Sequence, residues 1–312
     1  MALVICMKNI ENKQIEELLQ RFKNNLDLEI HVKELLGISP CFILEKNNVG
    51  EIFNDLHHHD LYEILYIKEG KVTYIIEDKK YILEEGDMVL MSPTTLHKLD
   101  KILSNTSKRI ILNFPASYVD KISTNRCDLL KAFEISLQKD IHKISFDKSL
   151  RKTIENYFKI MLETQFSKEY GDDITYKIRF TQTLLIINRM IMNINMDGNI
   201  VTTTSKIVSE IINYINLNLS NKIFIKDIAK KLSLSESRVS HVFKQETGMS
   251  ILKYIIKKRL ILAKELVRNG EHLNIIYGLC GFQDNTSFFR AFKKEYNITP
   301  KNYYLTYLRT LD

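Results

Sequence analysis

The sequence predicts an α+β protein: a small N-terminal β-barrel or sandwich, a helical region beside it, and a C-terminal all-α domain. Three observations lead there. Over residues 41–114, short runs rich in Ile, Val, Tyr and Leu follow one another at strand length. Residues 128–196 contain no Pro and a single Gly, and space their apolar side chains by three and four. From Ile228 onward a helix-break-helix pattern occurs and then recurs 49 positions later. The length of 312 residues suits more than one domain.

Taken in order, residues 1–36 place Ile15, Leu18, Leu19 and Phe22 at helical spacing and read as an amphipathic N-terminal extension. Residues 37–127 hold the strand runs 42–44, 63–67, 71–77, 80–83, 87–91 and 109–114. Turn residues separate them at Glu69-Gly70, Glu77-Asp78-Lys79, Glu85-Gly86-Asp87 and Ser92-Pro93. Closely spaced strands of this kind suit a small barrel or sandwich. Glu63, Leu65 and Ile67 share one strand face and Tyr62, Ile64 and Tyr66 the other; both faces are largely apolar, so alternation does not choose the inward one.

Residues 128–195 predict two longer helices, one through Leu150, Ile154, Tyr157, Phe158, Met161 and Leu162, the other through Ile174, Ile178, Leu184, Leu185, Ile187, Ile191 and Met192. The second carries more apolar surface than one face of a small domain requires. Either a second copy covers it, making a homodimer, or the strand domain of the same chain does. The polar, β-branched stretch 196–205 reads as a linker to a domain over 206–312.

Charge is uneven along the chain. Residues 206–312 carry 18 Lys and Arg against 9 Asp and Glu, which leaves 27 against 29 for residues 1–205 and makes up the net +7. A basic domain joined to a near-neutral one suits a polyanion-binding module attached to something else. Neither common glycine-rich phosphate loop is present, which argues against nucleotide-dependent chemistry. Cys6, Cys41, Cys127 and Cys280 are scattered, as in a reducing compartment. The N-terminus lacks a signal-peptide pattern, and the most apolar stretch, 184–194, is broken by Asn188, Arg189 and Asn193. These features predict a cytoplasmic protein with no membrane partner.

In the basic third, Ile228, Ala229 and Leu232 give a short helix its inward face, Ser233-Leu234 breaks it, and Ser235 can cap a second helix with Val239, Val242 and Phe243 inward. This is a helix-turn-helix pattern. Its second copy aligns residues 240–246 with 289–295, and a helix over 251–267, closed by Asn269-Gly270, joins the two. The region resembles the DNA-binding domain of the AraC/XylS family of transcription regulators. The resemblance runs through residues 243–250, Arg259-Leu260 with Ala263 and Leu266, Gly281-Phe282, residues 287–293 and residues 299–303. Two positions depart from the family pattern: Tyr277, with Gly278 beside it, stands where a small residue is usual, and Tyr296-Asn297 replaces Phe-Gly.

The resemblance implies binding to double-stranded DNA by outward side chains: Ser237, Arg238, Ser240, His241 and Lys244 in the first unit, and Asn285, Thr286, Ser287, Phe289, Arg290 and Lys293 in the second. Arg290 is the strongest base-reading candidate, because Arg can bond guanine bidentately. Lys244 and Lys293 suit support of the fold or the DNA backbone more than specificity. Phe243, Phe282, Phe288 and Phe292 are expected in the core.

In the strand domain, His57, His59, Glu63 and Gly70 follow the first cupin motif, and Gly86 to His97 loosely resembles the second. In metal-dependent cupins the equivalents of His57, His59, Glu63 and His97 ligate an ion. The same residues also resemble the sensor domain of AraC-type regulators. Lys101 occupies a position where Asn is usual, and a cation there would weaken metal binding. The expected architecture is thus a cupin-like β-barrel with a helical dimerisation region, followed by a double helix-turn-helix domain. His57, His59, Glu63, Tyr74 and His97 would bind a small-molecule effector such as a sugar or another metabolite, with no metal, no cofactor and no enzymatic role. RNA polymerase would be a partner of an activator. The alternative is a metal-dependent cupin enzyme with a DNA-binding appendage.

Overall fold

The structure, a computed structural model, describes residues 41–48, 56–139, 141–193, 205–268 and 270–308. The expected extension over 1–36 and residues 196–204 of the expected linker over 196–205 lie outside them. The chain divides into two compact units, Met1–Thr203 and Thr204–Asp312.

The first unit contains β1 (Phe42–Asn48), β2 (Tyr62–Glu69), β3 (Lys71–Ile76), β4 (Lys79–Glu84), β5 (Asp87–Met91), β6 (His97–Ile102), β7 (Ser107–Phe114) and β8 (Lys143–Ser145). Helices α1 (Ala116–Asp120), α2 (Lys131–Lys139), α3 (Lys148–Thr164) and α4 (Asp172–Asn193) complete it. The strands form a five-stranded antiparallel sheet in the order β1-β7-β2-β5-β8 and a three-stranded one in the order β4-β3-β6. Closure into the expected barrel is not seen: the two sheets face each other, with an isolated bridge between His57 and His97. The smaller sheet's strands take their ladders from one another, so no continuous hydrogen-bonded wall runs round the interior.

Both faces of the five-stranded sheet are buried, which is the physical reason alternation did not choose between them. On one face Leu65, Ile67, Val89 and Ile111 pack against Val72, Tyr74, Ile76 and Leu83 of the small sheet. On the other, Ile64, Tyr66, Leu90 and Leu112 meet the helices through Phe133, Phe158, Phe180 and Leu184. Each fully buried side chain of this size contributes about 1.5–3 kcal/mol. Polar ties fix the helices on the sheet. The Gln165 amide accepts from the Ile43 N–H at 3.1 Å and donates to the Ile43 carbonyl at 2.8 Å, and Tyr66 donates to Glu155 at 2.5 Å. Asn188 of α4 accepts from Ala132 N–H and donates to the Leu129 carbonyl, binding α4 to α2. Most of the apolar surface of α4 is therefore used within its own chain, and Ile174, Ile178 and Met192 stay exposed.

The second unit is all-helical: α5 (Lys206–Leu217), α6 (Ile225–Lys231), α7 (Glu236–Thr247), α8 (Ile251–Arg268), α9 (Leu273–Leu279), α10 (Asn285–Tyr296) and α11 (Pro300–Leu308). Ser205 caps α5 by accepting from Val208 N–H, and its own N–H donates to Glu246 at 3.0 Å, tying α5 to α7. Leu260, Ala263 and Val267 of α8 form one core with Ile276, Cys280, Phe288 and Phe292. The two helix pairs, α6–α7 and α9–α10, are thus joined by α8, as the sequence predicts.

Candidate functional site

Each helix pair turns on a residue in the left-handed region: Ser233 at φ 54° and Gly281 at φ 80°. Leu234 N–H bonds the Ala229 carbonyl at 3.0 Å, and Phe282 N–H bonds that of Tyr277 at 2.8 Å. Tyr277 therefore takes the place of Ala229, half-buried in the core, while Gly278 faces open space. The 49-residue offset of the recognition helices includes one extra turn residue, Gln283, ahead of the cap. Ser235 caps α7 through Arg238 N–H, and Asp284 caps α10 through Ser287 N–H. Such caps contribute about 1 kcal/mol each. Asn297 serves where Gly248 serves in the first unit: both are left-handed C-caps, at φ 55° and 83°. Asn tolerates that conformation better than other non-glycine residues, which accounts for the departure from Phe-Gly.

Ser237, Arg238, His241 and Lys244 are exposed on α7, and Ser240 is half-buried. On α10, Asn285, Thr286, Ser287, Arg290 and Lys293 are exposed, and Phe289 is half-buried. The Ser287 hydroxyl is already engaged, donating to Asp284 at 2.8 Å. Phe243, Phe288 and Phe292 are fully buried and Phe282 half-buried, stacked edge-on or tilted on neighbouring rings.

Arg259, part of the family pattern but given no role from sequence, donates to the carbonyls of Leu219 at 3.0 Å and Asn221 at 2.6 Å. Its guanidinium passes beside Gly281, where a Cβ would lie 2.4 Å from the Leu219 carbonyl oxygen. It ties the chain after α5 to the second turn. Lys222 and Lys226, which no motif marks, flank the half-exposed ring of Phe224 at 4.9 and 5.1 Å.

In the N-terminal unit the cupin-like residues converge between the sheets. Glu63 on β2 is buried and His59 Nε2 lies 2.8 Å from its carboxylate. His97 begins β6 with its ring centroid 4.5 Å from that of His57 and 5.3 Å from that of His59. One ligand-type atom from each of His59, Glu63 and His97 falls within 4.8 Å of the others. Glu63 therefore faces inward, as the motif implies. Burial alone would raise its pKa, but the bond from His59 and the surrounding imidazoles outweigh it and bring it to about 2. Burial lowers the His97 imidazole to about 3, with His57 adding to the effect. For His59 burial is the largest single influence and lowers the pKa, but the bond to Glu63, the charges of Glu63 and Asp60 and the Leu61 carbonyl together outweigh it and raise the pKa. Tyr74 reaches the interior from the small sheet and accepts from buried Arg109 at 2.7 Å.

Two further residues belong to this interior. Asn113 is the cross-strand partner of Glu63, wholly buried, and neither amide atom has a hydrogen-bond partner. Lys101, expected to oppose a cation, is exposed, four residues or about 13 Å along β6 from His97. A separate cleft of about 570 Å³, lined by Tyr62, Ser92, Asp120, Thr124, Asp128 and Glu134 among others, draws on strand ends and loops that no sequence pattern links.

Among the described residues no helix is long and apolar enough to cross a membrane. Two family profiles match the chain: an AraC-like ligand binding domain over residues 42–170 and a helix-turn-helix domain over residues 228–305. The chain is similar to a probable transcriptional regulator, LumQ, of Photobacterium leiognathi, with 26% identity across 85% of this chain and 96% of LumQ. It is also similar to the HTH-type transcriptional activator RhaR of Mannheimia succiniciproducens, with 25% identity across 80% and 86%. Among solved structures, the C-terminal domain of AraT, a response regulator from Geobacillus stearothermophilus, shares 28% identity over 34% of this chain and 88% of that domain, at a TM-score of 0.33. With an AraC-like ligand-binding domain followed by a double helix-turn-helix, the chain belongs to the AraC/XylS family of transcription regulators.

Proposed function

We propose that the C-terminal unit reads double-stranded DNA through α7 and α10 and that a small molecule, a sugar or another metabolite, bound between the sheets of the N-terminal unit controls it. The observation that carries this reading is the pair of capped helices, each with an apolar face in the core and polar or cationic side chains outward. Arg238 and His241 would face bases in one stretch of major groove, and Asn285, Thr286 and Arg290 in another. Lys222, Lys226, Lys244 and Lys293 would meet phosphates. Ser287, whose N–H and hydroxyl both go to Asp284, would have to release its hydroxyl to meet the DNA.

The rest of the assignment follows the same frame. His57, His59, Glu63, Tyr74 and His97 form the effector-binding set. Ile174, Ile178 and Met192 on α4 are left for a second copy in a homodimer, RNA polymerase is the partner of an activating complex, and the protein works in the cytoplasm, where the chromosome is. The test is DNA affinity measured against salt. Neutralising six to ten phosphates makes affinity fall by roughly 10³–10⁵ between 50 and 200 mM salt. A salt-insensitive affinity overturns the reading. A thermal-shift screen of metabolites tests the sensor, because a ligand of the folded state raises the melting temperature.

A further inference from the structure

We propose that the cleft on the helix side of the N-terminal unit binds a small organic ammonium that carries hydroxyl groups, at a site separate from the interior between the sheets. The separation follows from strand alternation. Tyr62 lines the cleft and packs with the core on the helix side of the large sheet, whereas Glu63, the next residue, shares the opposite face with Leu65. At about 570 Å³ the cleft has the size of a small-molecule site, about 300–1,000 Å³.

Its walls are fixed by packing and by backbone bonds. The Tyr62 ring is stacked on Phe114 at 5.8 Å and meets the edge of Phe133 at 4.9 Å. The loop after α1 is closed by paired backbone bonds between Thr124 and Cys127 at 3.0 and 2.9 Å, and α2 is held to α4 where Ala132 N–H donates to Asn188 at 2.8 Å. Ser92 is the observation that points to a ligand. It lines the cleft and is only 6% exposed. Its N–H donates to the Thr95 hydroxyl at 3.2 Å and its carbonyl accepts from Thr95 N–H at 2.9 Å, while its own hydroxyl bonds no described residue. A hydroxyl so withdrawn from water needs a partner, and the cleft is where one can enter.

The lining selects the charge of the ligand. Asp120, Asp128 and Glu134 bring three carboxylates, and no Lys, Arg or His is among the described residues that line the cleft. Lys131 pairs with Glu134 at 2.6 Å and Gln138 donates to the same carboxylate at 2.9 Å, so Asp120 and Asp128 carry the attraction. Asp128 accepts from Leu130 N–H with one oxygen, at 2.8 Å, which leaves the other for an ammonium. Lys121 and Arg126 are exposed on the same loop but do not line the cleft. Ser123 accepts from Leu129 N–H at 3.2 Å, so its own proton is available to an acceptor on the ligand. Ser92, Ser123 and Thr124 can donate to or accept from ligand hydroxyls, and the Tyr62 ring and Leu130 cover a carbon skeleton. An anionic ligand would meet like charges, and a bare ion would leave the hydroxyls and the ring unused.

The test uses the full-length protein below neutral pH, titrated by calorimetry and thermal shift with glucosamine as the amino-sugar probe and ethanolamine as the amino-alcohol probe. At least one should bind once per chain and raise the melting temperature. If it is glucosamine, glucose, which lacks the ammonium, should bind at least about five-fold more weakly; Ca²⁺ should compete with neither. Asp120→Asn and Asp128→Asn should each weaken the bound probe about two- to five-fold, the range of an exposed ion pair, whereas Glu163→Gln, outside the cleft, should not. Ser92→Ala separates binding from folding. It removes no hydrogen bond within the described protein, so it should melt no lower and yet weaken the probe about two- to ten-fold. Absence of saturable binding by both probes, equal affinity for glucose, competition by Ca²⁺, or full affinity in Asp120→Asn, Asp128→Asn and Ser92→Ala overturns the assignment. None of these outcomes touches DNA binding, which is read from the salt titration.

Discussion

The two helix-turn-helix units reach one backbone plan with different side chains. The first turns on Ser233, crosses its helices at Ala229 and caps with Ser235 and Gly248; the second uses Gly281, Tyr277, Asp284 and Asn297 in those roles. The second is also more heavily tied down. Phe292 meets the rings of Phe288, Tyr296 and Tyr303, whereas Phe243 meets Tyr254. Lys264 is buried with its ammonium 4.1 Å from the centre of Tyr296 and 5.3 Å from that of Tyr303, and Lys257 pairs with Glu295 at 2.5 Å. Outward, the second unit presents Arg290 where the first presents His241. The difference teaches that helix placement depends on caps, left-handed turn residues and filled volume, while the outward residues are set separately, as the proposed reading of DNA by them requires.

The sharpest way to break this comparison is to empty each core. Phe292→Ala should destabilise the C-terminal unit by about 3–5 kcal/mol, and by more than Phe243→Ala, as measured by denaturant unfolding. A smaller effect than Phe243→Ala would mean that the aromatic cluster adds no stability to the second unit.

The turns should respond with opposite signs. Gly281→Ala places a Cβ in a left-handed residue and against the Leu219 carbonyl, and should cost about 1–3 kcal/mol. Ser233→Gly relieves the left-handed strain of a non-glycine residue and should gain up to about 1 kcal/mol. Equal signs in thermal melts would show that the turns are not equivalent.

For DNA, Arg290→Ala should cost about 1–3 kcal/mol and relax preference at one base pair. His241→Ala should cost less, because one imidazole donor does not match a bidentate guanidinium. Equal loss on every sequence would make Arg290 a phosphate contact.

Much of this was legible in the sequence, for stated physical reasons. Strands and helices announced themselves through periodicity and turn residues, and the repeat located both recognition helices. Three things were not legible. The closed barrel became two facing sheets, because strand partners are long-range and no local pattern records that β3, β4 and β6 pair only among themselves. The choice between a dimer and intrachain burial for α4 hinged on Tyr66, Phe133 and Phe158, which are distant in the chain. Asn113 and Arg259 escaped because their roles come from a cross-strand neighbour and from backbone carbonyls, which leave no mark on residue spacing.

A pH-dependent effect lies in the N-terminal unit and contrasts its buried charges with the exposed ones of the C-terminal unit. His97 is held at about 3, against 6.5 for an exposed imidazole. Between those values the unfolded chain binds a proton that the folded chain does not, so stability falls as pH drops from 6.5 toward 3. Glu63, lowered from 4.5 to about 2, adds a fall of the same sign below 4.5, and His59, raised, contributes the opposite sign above 6.5. In chelator-treated protein, His97→Gln should flatten the melting-temperature profile between pH 3 and 6.5. An unchanged slope would place that imidazole in water.

The central claim, that one C-terminal unit reads DNA with two unlike recognition helices, is tested most directly by selecting bound sites from random duplexes with the full chain and with Arg290→Ala. The account predicts two preferred blocks about one helical turn, 10–10.5 bp, apart, of which Arg290→Ala erases preference in one and leaves the other. A single block, or two that Arg290→Ala leaves intact, would contradict it.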